Sequence, residues 1–130
     1  MKKDIQNFLL MVDYDLSAAK HMWRSGRYIY VIFMCHLALE KTLKAFVIIQ
    51  TNKPSPKTHD LIRLLELADV VLTPAQLDFV GKINNTSVAT RYPEDFPLLK
   101  SSYPKNIAKK YLDETEGLIK WLKLDKKLKQ

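Results

Sequence analysis

The hydrophobic pattern of the chain is dominated by one stretch, residues 28–50. From Tyr28 to Leu39 it contains no Asp, Glu, Lys or Arg, and at helical spacing its apolar side chains cover nearly the whole circumference. A helix of this kind belongs in the interior of a bundle. A membrane span would need about 20 apolar residues, and this run ends at Glu40. The surplus apolar surface predicts that a second copy of the chain covers part of the helix.

The remaining hydrophobic positions predict four more helices. The first is amphipathic, and the turn at Ser25 and Gly26 sends the second helix back antiparallel to it. Thr58 is a candidate cap for a short third helix, and Thr73 with Gln76 forms a capping-box signal for the fourth. The predicted ranges are 3–23, 59–69, 74–91 and from Pro104 onward.

Prolines predict two loops, one at 51–58 and one that contains Tyr92-Pro93 and Phe96-Pro97. No stretch alternates with period two for long enough to form a strand. The predicted fold is all-α, an antiparallel four-helix up-and-down bundle with one additional short helix. Residues 1–125 are expected to form a single domain, and residues 126–130 a lysine-rich C-terminal tail.

Composition indicates an ordinary globular domain, with 47% hydrophobic and 27% charged residues. Of the net charge of +7, the last eleven residues contribute +4. A solvated helix end explains this charge better than a phosphate-binding tail, which remains the alternative. Cys35 is the only cysteine, so a reducing cytoplasm is expected. The apolar run from Phe8 to Val12 is too short for a signal peptide.

Several chemical motifs are missing from the sequence. It has no Gly-rich phosphate loop, no Cys or His pair at metal-ligand spacing and no HExxH motif. No metal, no cofactor and no membrane association are therefore expected.

One candidate site lies on the second helix, where His36, Glu40 and Lys44 follow one another at intervals of four residues. This spacing puts the three side chains on one face. In the functional interpretation they form a polar site beside the core. In the structural interpretation, which the pattern alone favours, Glu40 and Lys44 pair while His36 satisfies a neighbouring group.

Two loop segments carry further candidates. Lys57-Thr58-His59-Asp60 is either a capped helix start or a helix N-terminus whose amides bind an anion beside His59. Arg91-Tyr92-Pro93 is either a plain helix end or a contact for a phosphate and a base.

Three segments together resemble the HEPN domain, in particular the small prokaryotic HEPN proteins encoded beside a minimal nucleotidyltransferase. They are YDLSAAKHMWRSGRYIYVIFMCHLALEKTLKAF, KTHDL and TRYPEDF, and the resemblance extends from Tyr14 to Trp121. It implies an all-helical bundle and a homodimer. It also implies a nucleotide-binding or partner role in a two-gene, toxin-antitoxin-like system.

Ribonucleases of this family have an arginine followed, after four to six residues, by a histidine. No arginine of this chain has a histidine in that window. The resemblance therefore favours a subunit that pairs with the transferase and binds nucleotide or RNA over an enzyme.

Three hypotheses follow. In the first, Lys44, His59, Arg91 and Tyr92 bind the ligand, supported by Glu40 and Asp60. Arg91 contacts phosphate and Tyr92 stacks on a base. In the second, His36 or His59 is the general acid or base of a metal-independent ribonuclease. In the third, the protein is a structural dimer without a ligand.

Overall fold

The computed structural model describes residues 1–91, 93–125 and 128, with the side chains of Val88, Thr90 and Arg91 left out. These residues form six helices and no strand, which confirms the all-helical prediction. None of the described helices is long and apolar enough to span a bilayer. The helices are α1 (Lys2–Arg24), α2 (Tyr28–Thr51), α3 (Leu61–Ala68), α4 (Pro74–Arg91), α5 (Phe96–Ser102) and α6 (Lys105–Lys123).

Helix α2 is the centre of the fold. It packs against α1, α3, α4 and α6, and every residue from Thr42 to Ile48 is buried. Its first half is less enclosed, because Tyr30 is 56% exposed while Phe33 and Leu37 are half-buried. The apolar circumference of α2 is therefore covered by the rest of the chain along most of its length, but one face of its first three turns remains open.

Helix α1 runs antiparallel to both α2 and α6. The reversal between α1 and α2 uses Gly26 at a φ of +80°, a left-handed conformation that glycine adopts at no steric cost. Lys41 of α2 then donates to Asp15 of α1 over 2.7 Å. On the other side of α1, the Trp23 indole donates to the carbonyl oxygen of Lys105 over 3.0 Å.

Side-chain caps begin helices α3 and α4, and one of the two differs from the sequence prediction. At α4 the predicted capping box is present: Gln76 N–H donates to the Thr73 hydroxyl, and Thr73 N–H donates to the Gln76 side chain. At α3 the cap is Asp60 rather than Thr58. An aspartate at this position satisfies an N–H of the first turn equally well.

The prediction of a loop through Phe96 and Pro97 was wrong. Residues 96–102 form α5, so the described residues contain two short helices where the sequence predicted one. Asp95 caps α5 by accepting from Leu98 N–H over 3.1 Å. Pro97 lies in the first turn, where a missing N–H costs no helical hydrogen bond. A proline taken as a loop signal therefore lies at a helix start.

Candidate functional site

The candidate site is organised around the buried carboxylate of Glu40, which is 4% exposed. Lys44 Nζ lies 3.1 Å from Oε2, and His59 Nδ1 lies 3.0 Å and 3.1 Å from the two carboxylate oxygens. His36 Nδ1 lies 3.8 Å from Oε1. Removing a carboxylate from water is costly, and the contacts with Lys44 and His59 offset that cost. We call Glu40, Lys44 and His59 the Glu40 cluster.

His59 is the member of the Glu40 cluster that reaches solvent. It precedes α3 rather than lying within it, and its side chain is 61% exposed although its Nδ1 contacts a buried carboxylate. Nδ1 faces both carboxylate oxygens of Glu40, so the hydrogen of the ring is assigned to Nδ1, and in that tautomer Nε2 is the acceptor nitrogen. The ring is oriented by Glu40 and available to a molecule outside.

Asn84 of α4 is a site residue that sequence reasoning missed. Its Oδ1 accepts from Leu61 N–H over 3.1 Å and lies 3.4 Å from His36 Nε2. Its Nδ2 donates to Asp60 Oδ1 over 3.1 Å. Asn84 thus joins α2, the start of α3 and α4. An asparagine in the middle of a helix is a weak signal, since this residue type is a poor helix former.

His36 and Asp60 lie next to the Glu40 cluster and are not part of it. His36 is only 2% exposed, so its ring is closed off from a ligand in solution. Asp60 Oδ1 accepts from Ile62 N–H over 3.0 Å and from Asn84. A carboxylate therefore already occupies the helix N-terminus that the sequence offered as an anion site.

The other two predicted ligand residues lie outside what the structure describes. This applies to the side chain of Arg91 and to the whole of Tyr92. Pro93 follows them directly and lines the same groove as His59.

That groove has a volume of about 1290 Å³ and lies between the first half of α2 and α5. Tyr30, Phe33 and Leu37 contribute from α2, and Phe96 and Pro97 contribute from α5. We call it the α2–α5 groove. Its size exceeds the range of about 300–1,000 Å³ that is usual for small-molecule sites.

Cys35 faces the core and not the site. Burial raises the pKa of its thiol to about 12. Because the thiolate is the nucleophilic form, this cysteine is chemically inert in the folded protein.

Comparison with known proteins identifies the family. The model of the HEPN domain matches residues 6–126, and the chain therefore belongs to the HEPN domain family. No curated protein matches the chain.

Two solved structures share the fold. The protein TT1696 from Thermus thermophilus is 20% identical and superposes with a TM-score of 0.79, over 95% of this chain and 98% of that one. An archaeal HEPN homologue, ST0689, is 18% identical with a TM-score of 0.71, over 92% of this chain and 94% of that one. At these identities the likeness concerns the fold alone.

Proposed function

We propose that this HEPN protein is a nucleotide-binding subunit and the interaction partner of a minimal nucleotidyltransferase. The observation that carries the proposal is the Glu40 cluster. One buried carboxylate holds a lysine and an exposed histidine together at the edge of an open groove. A buried charge with specific partners at the edge of a groove is a candidate functional site.

In this proposal the ligand is a nucleotide or an RNA phosphate group. Lys44 supplies positive charge for the phosphate, and His59 Nε2 accepts a hydrogen bond from a hydroxyl group of the nucleotide. Arg91 contacts the phosphate and Tyr92 stacks on the base. Pro93 supports this assignment, because the residue directly after Tyr92 lines the groove that His59 reaches.

The proposed assembly is a cytoplasmic homodimer that pairs with the transferase in a toxin-antitoxin-like system. The support for a dimer is exposed apolar surface on α1, where Leu10 and Tyr14, one helical turn apart, are 68% and 76% exposed. Within each copy, we propose that α1, α2, α4 and α6 form an antiparallel four-helix bundle, with α3 and α5 as accessory helices.

A second candidate is a metal-independent ribonuclease, and one observation favours it. Glu40 orients His59 so that Nε2 is the proton-accepting nitrogen of an exposed ring. An imidazole held in one tautomer by a buried carboxylate is a competent general base. The missing Arg-x4-6-His pattern argues against this candidate.

The test compares the protein alone with the protein co-purified with its neighbouring transferase. Mass is measured by light scattering, ATP binding by calorimetry, and RNA cleavage in the presence of EDTA. We expect a stable complex, ATP binding and intact RNA. Arg91→Ala is expected to weaken ATP or transferase binding by about tenfold or more without lowering stability.

Two outcomes would contradict the proposal. Absence of both ATP binding and a complex would leave a structural dimer. RNA cleavage by the lone protein that disappears in His59→Ala would establish the ribonuclease instead. Lys110→Glu, a change at an exposed position of α6, is the control for non-specific effects of charge.

A further inference from the structure

The α2–α5 groove has a composition that the proposed nucleotide site does not explain. Of the fifteen described residues that line it, ten are aromatic, aliphatic, proline or glycine. Its charged lining residues are Arg27, Lys100 and Lys105, together with the titratable His59, and none of the described lining residues is Asp or Glu. The groove thus has an apolar floor, and the described charged residues that line it are all positive.

The three cations stand at exposed positions of the lining. Lys105 Nζ lies 5.1 Å from the centre of the Trp23 ring. Arg27 and Lys100 make no ion pair within the described part of the chain. Asp95 is close in sequence, but its carboxylate caps α5. Among the described residues, no acid therefore forms an ion pair with these three cations.

One wall of the groove is weakly anchored. Every residue of α5 is exposed or half-buried, and Phe96 and Leu98 are 55% and 64% exposed. A helix that buries none of its side chains gains little from packing. An occupant that contacts Phe96 would supply the apolar contact that α5 lacks.

Charge and polarity discriminate between possible occupants. A second copy on a two-fold axis would bring Arg27, Lys100 and Lys105 towards the same cations of its partner, and like charges at an interface are costly. Nucleic-acid interfaces are more polar and more basic than this floor. An amphipathic helix with acidic flanks matches both features, since its apolar face fits the floor and its carboxylates face the cations.

We propose that the α2–α5 groove binds an amphipathic helix with acidic side chains beside its apolar face, carried by a partner protein. The identification of that partner as the nucleotidyltransferase rests on the function proposed above. Tyr30, Phe33 and Phe96 form the apolar contact, and Lys100 and Arg27 select for acidic flanks.

The first test uses labelled synthetic helical peptides of about 18 residues. One has leucines at helical spacing flanked by Glu, one is its scrambled isomer, and one carries Lys in place of Glu. By fluorescence anisotropy we expect the acidic amphipathic peptide to bind at least about tenfold tighter than either of the others. Equal binding of the scrambled peptide would overturn the proposal.

Matched variants locate the binding surface. Lys100→Glu and Tyr30→Ser are expected to weaken peptide binding about tenfold, whereas Lys110→Glu and Trp121→Ser should change it less than about twofold. Trp121 is 45% exposed on α6 and does not line the groove. The inference is wrong if the two groove variants bind the peptide like wild type. It is also wrong if Tyr30→Ser converts a dimer to a monomer.

The same variants separate this inference from the proposed function. A transferase complex whose affinity is unchanged by Lys100→Glu would refute the groove as its docking site while leaving the nucleotide-binding subunit intact. Peptide binding without ATP binding or a transferase complex would refute the proposed function and leave the groove as a docking site for another protein.

Discussion

Two groups of charged side chains differ in how far they are removed from water. The first is the Glu40 cluster, whose central carboxylate side chain is 5% exposed. The second, which we call the α1–α6 seam, joins Lys123 to Asp13 over 2.8 Å and links Lys20 and Lys120 to Glu116. Side chains of the seam are 26% to 75% exposed. The same residue types therefore meet very different dielectric surroundings.

This difference in burial decides what each group of charges can do. Ion pairs of the seam are solvated, and such pairs contribute little to stability. Their lysines are also engaged with acids of the seam, although a cavity of about 360 Å³ lies beside them. In the Glu40 cluster the charge is buried and one partner, His59, remains open to the groove. Because the carboxylate is buried, loss of one of its partners would be destabilising. The same carboxylate holds His59 in a fixed orientation at the groove.

The largest expected effect is that of Glu40→Gln. It leaves Lys44 buried without its counter-charge, and we expect the free energy of unfolding to fall by about 3 kcal/mol in urea titrations. His59→Ala should cost much less, because that side chain is mostly solvated. The double change of Glu40→Gln and Lys44→Met should recover part of the loss. If Glu40→Gln lowers the free energy of unfolding no more than Glu116→Gln does, the two groups do not differ in the way proposed.

The next effect is that of Asn84→Ala. This change removes the acceptor of the N–H of buried Leu61, and an unsatisfied buried group costs about 1–3 kcal/mol. It also removes the donor to Asp60, which is exposed. We expect a loss of about 2 kcal/mol by thermal or urea unfolding. The neighbouring Asn85, which is exposed, is the matched control, and Asn85→Ala should be nearly neutral. Similar costs at the two positions would exclude Asn84 from the support of the site.

A smaller effect is expected in the α1–α6 seam. Glu116→Gln removes the partner of Lys20 and Lys120, and we expect a loss of less than about 1 kcal/mol. Because the pairs are solvated, added salt should reduce the difference from wild type further. The measurement is urea unfolding at low and high salt. A loss that is larger and independent of salt would show that the seam behaves like a buried cluster.

The smallest expected effect is the change with pH of the stability that Glu116 contributes. The hydrogen bond from Lys20 holds the pKa of the Glu116 carboxyl below its ordinary value of 4.5. A lowered pKa means that the unfolded chain binds the proton more readily. The stabilisation is therefore present above the ordinary pKa and is lost as the pH falls through the lowered one. The stability difference between wild type and Glu116→Gln should vanish as the pH falls through the lowered pKa of Glu116. A difference that grows on acidification would contradict this assignment.

Local signals in the sequence were enough for much of the fold. The apolar run of α2, the glycine turn before it and the Thr73 capping box each act within a few residues, and each is found as predicted. Helix α5 was missed because Phe96-Pro97 was read as a loop. The Asp95 cap shows that the same proline belongs to a first turn, where it breaks no hydrogen bond.

The candidate site could be predicted only in part. The spacing of His36, Glu40 and Lys44 indicates one helix face, and the Lys44 contact follows from it. Asn84 gave almost no signal, because its three partners lie 23, 24 and 48 residues away along the chain. The groove was visible only as surplus apolar surface on α2.

Helical periodicity and capping are short-range effects. The sequence alone therefore predicts an all-helical protein with a buried central helix. Tertiary structure decided which of its charges became a site. His59 meets Glu40 across 19 residues, and α5 lies opposite the first half of α2 to form the groove. Both depend on how the helices pack, and packing joins residues that no spacing rule connects.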